Sequence, residues 1–126
     1  MSVLEIESTK RTPYVKFDLA KGTLEIKGSI LLVNPTKFFD DILEYVDEYI
    51  LDPQEHTQVL LHIEYYNTYA SKLLLFLLKK IQKLSKLDLK VTLIWLYDED
   101  DDDMYEVGVA YQSSLRMHTT LQAITS

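Results

Sequence analysis

The 126-residue sequence has no cysteine, three glycines, three prolines and one tryptophan. Without thiols there can be no disulfide, no thiolate nucleophile and no Cys-ligated zinc. There is no glycine-rich loop to cradle a phosphate. The three histidines, His56, His62 and His118, fall at no metal-ligand spacing, so neither metal nor cofactor is expected. No apolar run approaches the roughly 20 residues of a membrane span. The opening Met1-Ser2-Val3-Leu4-Glu5 lacks the basic and apolar regions of a secretory signal, which leads us to expect a cytoplasmic chain with no membrane association. Cations are also in the minority: 13 Lys and Arg against 20 Asp and Glu give a net charge of -7, which opposes nucleic-acid binding. A basic or neutral protein partner is compatible with that balance. The 47% hydrophobic content at this length suffices for one core, so residues 1–126 are expected to form one domain.

Tyr14-Val15-Lys16-Phe17-Asp18 and Thr23-Leu24-Glu25-Ile26-Lys27 alternate apolar and polar around Lys21-Gly22, which predicts a β-hairpin. Asn34-Pro35-Thr36 supplies start signals for a helix reaching about Leu51, with Phe39, Ile42, Leu43, Val46 and Ile50 as its apolar stripe. Val59 to Ile63 reads as a buried strand, and a second helix is predicted from about Thr68 to Leu87. Val91 to Tyr97 is apolar on both faces, as expected of a central strand in a sheet covered by helices. Met104, Val107, Ala110 and Tyr111 outline a weak amphipathic helix that Gly108 makes less favourable, and Thr119 to Ile124 fits an edge strand. An N-terminal hairpin followed by alternating helices and strands predicts an α/β fold with a mixed central sheet and about three helices.

The acidic run Asp98 to Asp103 lacks the glycine and distant glutamate of a calcium loop, so helix-start electrostatics is the simpler reading. No Ser/His/Asp order or carboxylate pair marks a catalytic site, and His62 within an apolar strand reads as a satisfied core or edge residue. The chemistry-bearing segment is Glu64 to Lys72, where hydroxyls stand at a strand-to-helix junction. The first N–H groups of a helix lack internal partners, so Asn67 or Thr68 is the expected cap, and a phosphoryl group placed there meets a favourable helix N-terminus. Lys72, Lys79, Lys83 and Lys86 fall near one face of that helix. Leu73, Leu75 and Phe76 add more apolar surface than one sheet contact needs, which marks a candidate partner surface.

Taken in order, several segments resemble the SiaC family of bacterial regulatory phosphoproteins across nearly the whole chain. They are Thr12-Pro13-Tyr14-Val15-Lys16-Phe17-Asp18, Gly22 to Gly28, Phe38-Phe39, Tyr66-Asn67-Thr68 with Ser71-Lys72, Trp95-Leu96-Tyr97 and Asp103 to Gly108. The resemblance implies a single STAS-like domain, similar to the anti-sigma-factor antagonists. It further implies a non-enzymatic signalling switch, phosphorylated by a dedicated serine/threonine kinase, dephosphorylated by a metal-dependent phosphatase, and able in one state to bind a diguanylate cyclase. Thr68 matches the family's phosphorylated threonine. Ser71 is a secondary acceptor, and Asn67, Tyr69 and Lys72 flank the site. The chain departs from the family pattern at Tyr69 and Ala70, where that pattern has serines, and over Ile30 to Asn34. The competing reading is an unregulated small-ligand-binding or scaffold domain, with Tyr65, Tyr66 and Tyr69 lining a pocket.

Overall fold

Right-handed crossovers that all step in one direction across a sheet lay their helices on the same face. The computed structural model describes residues 3–31 and 36–125, and its three helical crossovers all step in the same direction across the sheet. Strands β1 (Val3–Ile6), β2 (Tyr14–Asp18) and β3 (Thr23–Ile30) lead through α1 (Thr36–Leu51) to β4 (His56–Tyr66). Then come α2 (Thr68–Gln82), a 3₁₀ turn (Lys83–Leu87), β5 (Lys90–Asp98), α3 (Asp102–Ser114) and β6 (His118–Ile124). The six strands lie in sequence order. β1, β2 and β3 pair antiparallel, and β3 through β6 pair parallel.

The register aligns one buried row after another on the helix-covered face. Phe17 sits opposite Leu24, Leu24 opposite Val59, and Val59 opposite Leu93; one row further, Ile26, Leu61, Trp95 and Leu121 are aligned. Onto this face α1 brings Phe39, Ile42, Val46 and Tyr49, and α2 brings Leu74, Leu77, Leu78 and Ile81. The Tyr49 ring lies 5.4 Å from that of Phe17, and its hydroxyl is 2.7 Å from the Thr57 hydroxyl. Gly22 turns the hairpin at φ +69°, and a Cβ there would lie 2.6 Å from that Tyr49 hydroxyl.

Several expectations are corrected. The expected covering of both sheet faces is replaced by one open face, because the three crossovers all step the same way. Lys16, Glu25, Leu60, Ile94 and Thr120 form a row across that face, with Lys27, His62, Leu96 and Gln122 beside it. Leu60, Ile94 and Leu96 are half-buried there. His62 Nε2 lies 3.3 Å from an Asp98 carboxylate oxygen, in keeping with a satisfied residue. An unanticipated edge strand, β1, pairs with β2. The second helix is α-helical only to Gln82, and its 3₁₀ continuation stops at Asp88, whose φ of 59° is left-handed. The third helix is present as expected, and it runs through Gly108 without a break. Start signals Asn34 and Pro35 lie outside the described residues, as do Leu32 and Val33 of the Ile30–Asn34 stretch.

Candidate functional site

The junction of β4 and α2 is built on Asn67. Its backbone is extended (φ -83°, ψ 171°), and its side-chain oxygen accepts from the Ala70 N–H at 2.9 Å. Its own N–H donates to the Ile30 carbonyl at 3.3 Å, tying the turn to the end of β3. A cap of this type is worth about 1 kcal/mol. Asn67 rather than Thr68 therefore caps the helix, and Thr68 is its first residue. Thr68 is exposed, and among the described residues no hydrogen bond engages its hydroxyl. The Ser71 hydroxyl, by contrast, donates to the Thr68 carbonyl at 2.7 Å and is half-buried, which leaves Thr68 the more accessible acceptor.

From Thr68 an exposed strip descends α2. Tyr69, Lys72, Phe76, Lys79 and Lys83 recur every three or four residues and so share one face of the helix. Tyr69 and Phe76 are about half exposed, at 52% and 50%. Lys80 borders the strip: its ammonium pairs with Asp47 of α1 at 2.7 Å and lies 5.4 Å from the Phe76 ring centroid. Leu73 and Leu75 are half-buried against the core, so of the predicted apolar partner residues Phe76 faces solvent and Leu75 largely does not. Between Thr68 and Leu87 stand five lysines and no acidic residue. In a chain of net charge -7, this is a local cationic surface.

A cleft of about 260 Å³ opens beside the junction, lined by Glu64, Tyr65, Tyr66, Asp101, Asp103, Met104 and Val107. Tyr69 is not among its walls, so the three tyrosines do not form one pocket. Three carboxylates make the cleft unfavourable for an anion. The acidic run behaves as a helix start: the Asp101 side chain accepts from the Met104 N–H at 3.1 Å, with Asp102 and Asp103 in the first turn. Among the described residues no group of three or more His, Asp or Glu is placed to hold a metal ion.

Behind the junction lies one interaction between residues distant in sequence. The Tyr66 hydroxyl interacts with that of Tyr111 of α3, whose ring stands edge-on to Trp95 at 5.2 Å. Burial raises both hydroxyl pKa values above 10.0, and Tyr66 raises that of Tyr111 further. Tyr14, whose hydroxyl donates to Glu5 at 2.6 Å, is pushed up to about 12. Folding thus favours the neutral phenols. Their contribution is complete below pH 10.0 and declines as pH climbs through the raised folded values. The thermal midpoint is expected to fall above about pH 10, and to fall less steeply in Tyr111→Phe. Identical slopes in wild type and variant would show that the pair contributes nothing to this loss.

Comparison with known proteins follows the same layout. Residues 6–124 match the SiaC family regulatory phosphoproteins. An uncharacterized protein of Pseudomonas aeruginosa (strain UCBPP-PA14) is 24% identical over 123 residues, which is 98% of this chain and 98% of that protein. The structure of the diguanylate cyclase SiaD in complex with its activator SiaC, from Pseudomonas aeruginosa, contains a chain similar at TM-score 0.90 and 23% identity, over 96% of this chain and 99% of that one. Apo-SiaC from the same organism is similar at TM-score 0.89 and 24% identity, over 98% of this chain and 100% of that one. These structures share the six-stranded, three-helix fold. With the family match reaching from β1 to the end of β6, the chain belongs to the SiaC family of regulatory phosphoproteins.

Proposed function

We propose that this chain is a non-enzymatic cytoplasmic switch, reversibly phosphorylated on Thr68, and that the phosphoryl group controls docking of a protein partner along the α2 strip. The observation that carries this reading is an exposed hydroxyl at the first position of a helix whose exposed strip is cationic and aromatic. A phosphothreonine there carries about -1.5 to -2 charges and three acceptor oxygens, next to unpaired N–H groups and one helical turn from Lys72. The fold accommodates the modification without rearrangement, because Asn67 keeps the cap. Ser71 is a poorer acceptor since its hydroxyl is already committed.

The partner class is a diguanylate cyclase, since the SiaC of similar fold is described as an activator bound to one. A dedicated serine/threonine kinase and a metal-dependent phosphatase complete the cycle, as family membership suggests. Phosphosite mass spectrometry on protein isolated from its native cells with phosphatase inhibitors, beside Thr68→Ala and Ser71→Ala variants, tests the acceptor. Phosphate on the Thr68 peptide in wild type and Ser71→Ala, and none in Thr68→Ala, is expected. Undiminished phosphorylation of Thr68→Ala would overturn the assignment.

A further inference from the structure

The two edges of the sheet are treated differently by the sequence. β1 is four residues long and carries Glu5, with Glu7 just beyond it, a charged and short edge of the kind that resists pairing. β6 is seven residues long, His118-Thr119-Thr120-Leu121-Gln122-Ala123-Ile124, with no proline and no carboxylate, lysine or arginine. Neither does a bulge interrupt its register with β5. An uncharged, regular edge rich in β-formers is a template for another strand.

Its free groups can be assigned. The Ile124 carbonyl accepts from the Glu99 N–H at 3.0 Å, which turns Ile124 toward β5. Alternate residues point their backbone groups to alternate sides, so Thr119, Leu121 and Ala123 direct theirs away from the sheet. The Thr119 carbonyl takes one bond from Gln112 Nε2, at 3.1 Å, and retains a second lone pair.

We propose that β6 is a homodimer seam, pairing antiparallel with β6 of a second copy about a two-fold axis at Leu121. Leu121 then faces Leu121 of the second copy as a doubly hydrogen-bonded pair, and Thr119 faces Ala123. The charge pattern specifies a second copy in this orientation. As the crossover helix, α3 runs opposite to β6, placing the exposed Asp102, Asp103 and Glu106 near the Ile124 end. Arg116, also exposed, lies just before the start of the strand. Antiparallel pairing sets the Ile124 end of each copy against the Arg116 end of the other, so opposite charges meet at both ends of the seam. A parallel pairing would set like ends together. The seam is independent of Thr68 and α2.

The test uses the open-face positions Thr120 and Gln122, which are exposed and stand opposite each other across the proposed seam. Sedimentation velocity at about 0.5 mM chain is expected to give a dimer of the 14.7 kDa chain, as befits a small, weak-class interface. The double variants Thr120→Lys/Gln122→Lys and Thr120→Glu/Gln122→Glu are each expected to remain monomeric and folded by circular dichroism. An equimolar mixture of the two is expected to recover the dimer. A wild type that stays monomeric at this concentration, or lysine and glutamate variants that each dimerise as well as wild type, would overturn the proposal.

Discussion

Gly108→Ala is expected to lower the stability of this protein by about 2 kcal/mol, although alanine is the better helix former by about 1 kcal/mol. The reason is α3's approach to the sheet. A Cβ at Gly108 would stand 2.5 Å from Trp95 Cδ1 and 2.7 Å from Leu121 Cδ2. Trp95 has no exposed surface, and its indole N–H donates to the Met104 carbonyl at 2.8 Å, so the ring cannot swing away without losing that bond. The helix must therefore lift or tilt. Overpacking costs about 1–3 kcal/mol, and with both contacts this close the upper end applies, about 3 kcal/mol, which leaves a net loss of about 2 kcal/mol after the propensity gain. The expected signature is a fall in thermal midpoint of roughly 6–10 °C, read by circular dichroism, with a shift in the emission of the only tryptophan. Trp95→Phe will itself destabilise, but combined with Gly108→Ala the losses should be less than additive, because the smaller ring frees the space the new methyl needs. A Gly108→Ala midpoint equal to or above wild type would mean that the close approach is not a constraint.

The same glycine shows where reading the sequence succeeds and where it stops. Read locally, Gly108 only weakens the helix; in the fold it permits one, because the neighbours it accommodates, Trp95 and Leu121, are distant in sequence. Local patterns were legible: the hairpin alternation, the α1 stripe of Phe39, Ile42, Leu43, Val46 and Ile50, and the strand-to-helix change at Asn67. Junction chemistry was legible too, because capping depends on residues within three positions of one another. The one-faced sheet was not, since apolar residues such as Ile94 and Leu96 look alike under a helix or half-covered by their neighbours. The interaction of Tyr66 with Tyr111 was hidden for the same reason as the Gly108 contact. The split between Leu75 and Phe76 was hidden as well: adjacent apolar residues straddle the boundary of the buried arc, and only packing decides which one faces water. β1 is too short for its alternation to stand out from chance.

Phosphorylation of Thr68, or Thr68→Glu as a weaker mimic, is expected to reduce affinity for an acidic partner surface without loosening the fold, two effects that the geometry separates. At the first position of α2 the added charge lies at the positive end of the helix dipole, worth about 0.3–1 kcal/mol in its favour, so the thermal midpoint should hold or rise slightly. Along the strip the effect has limited reach. Lys72 is one turn away, while Lys79 is eleven residues and about 16 Å further down the helix, beyond a Debye length of about 8 Å at physiological salt. The phosphoryl group therefore neutralises Lys72 and opposes partner carboxylates at the top of the strip, leaving Lys79 and Lys83 cationic. Titration calorimetry against the proposed diguanylate cyclase partner is expected to give about tenfold weaker binding, near 1.4 kcal/mol, for phosphoprotein relative to Thr68→Ala. Lys79→Glu/Lys83→Glu should weaken binding in both phosphorylation states, with a flatter dependence on salt. Lys72→Glu should imitate phosphorylation and make Thr68→Glu nearly silent. If phosphoprotein bound more tightly than Thr68→Ala, the partner surface would be basic and the sign of the switch reversed. If the lysine reversals left affinity untouched, the docking surface would lie elsewhere than on α2.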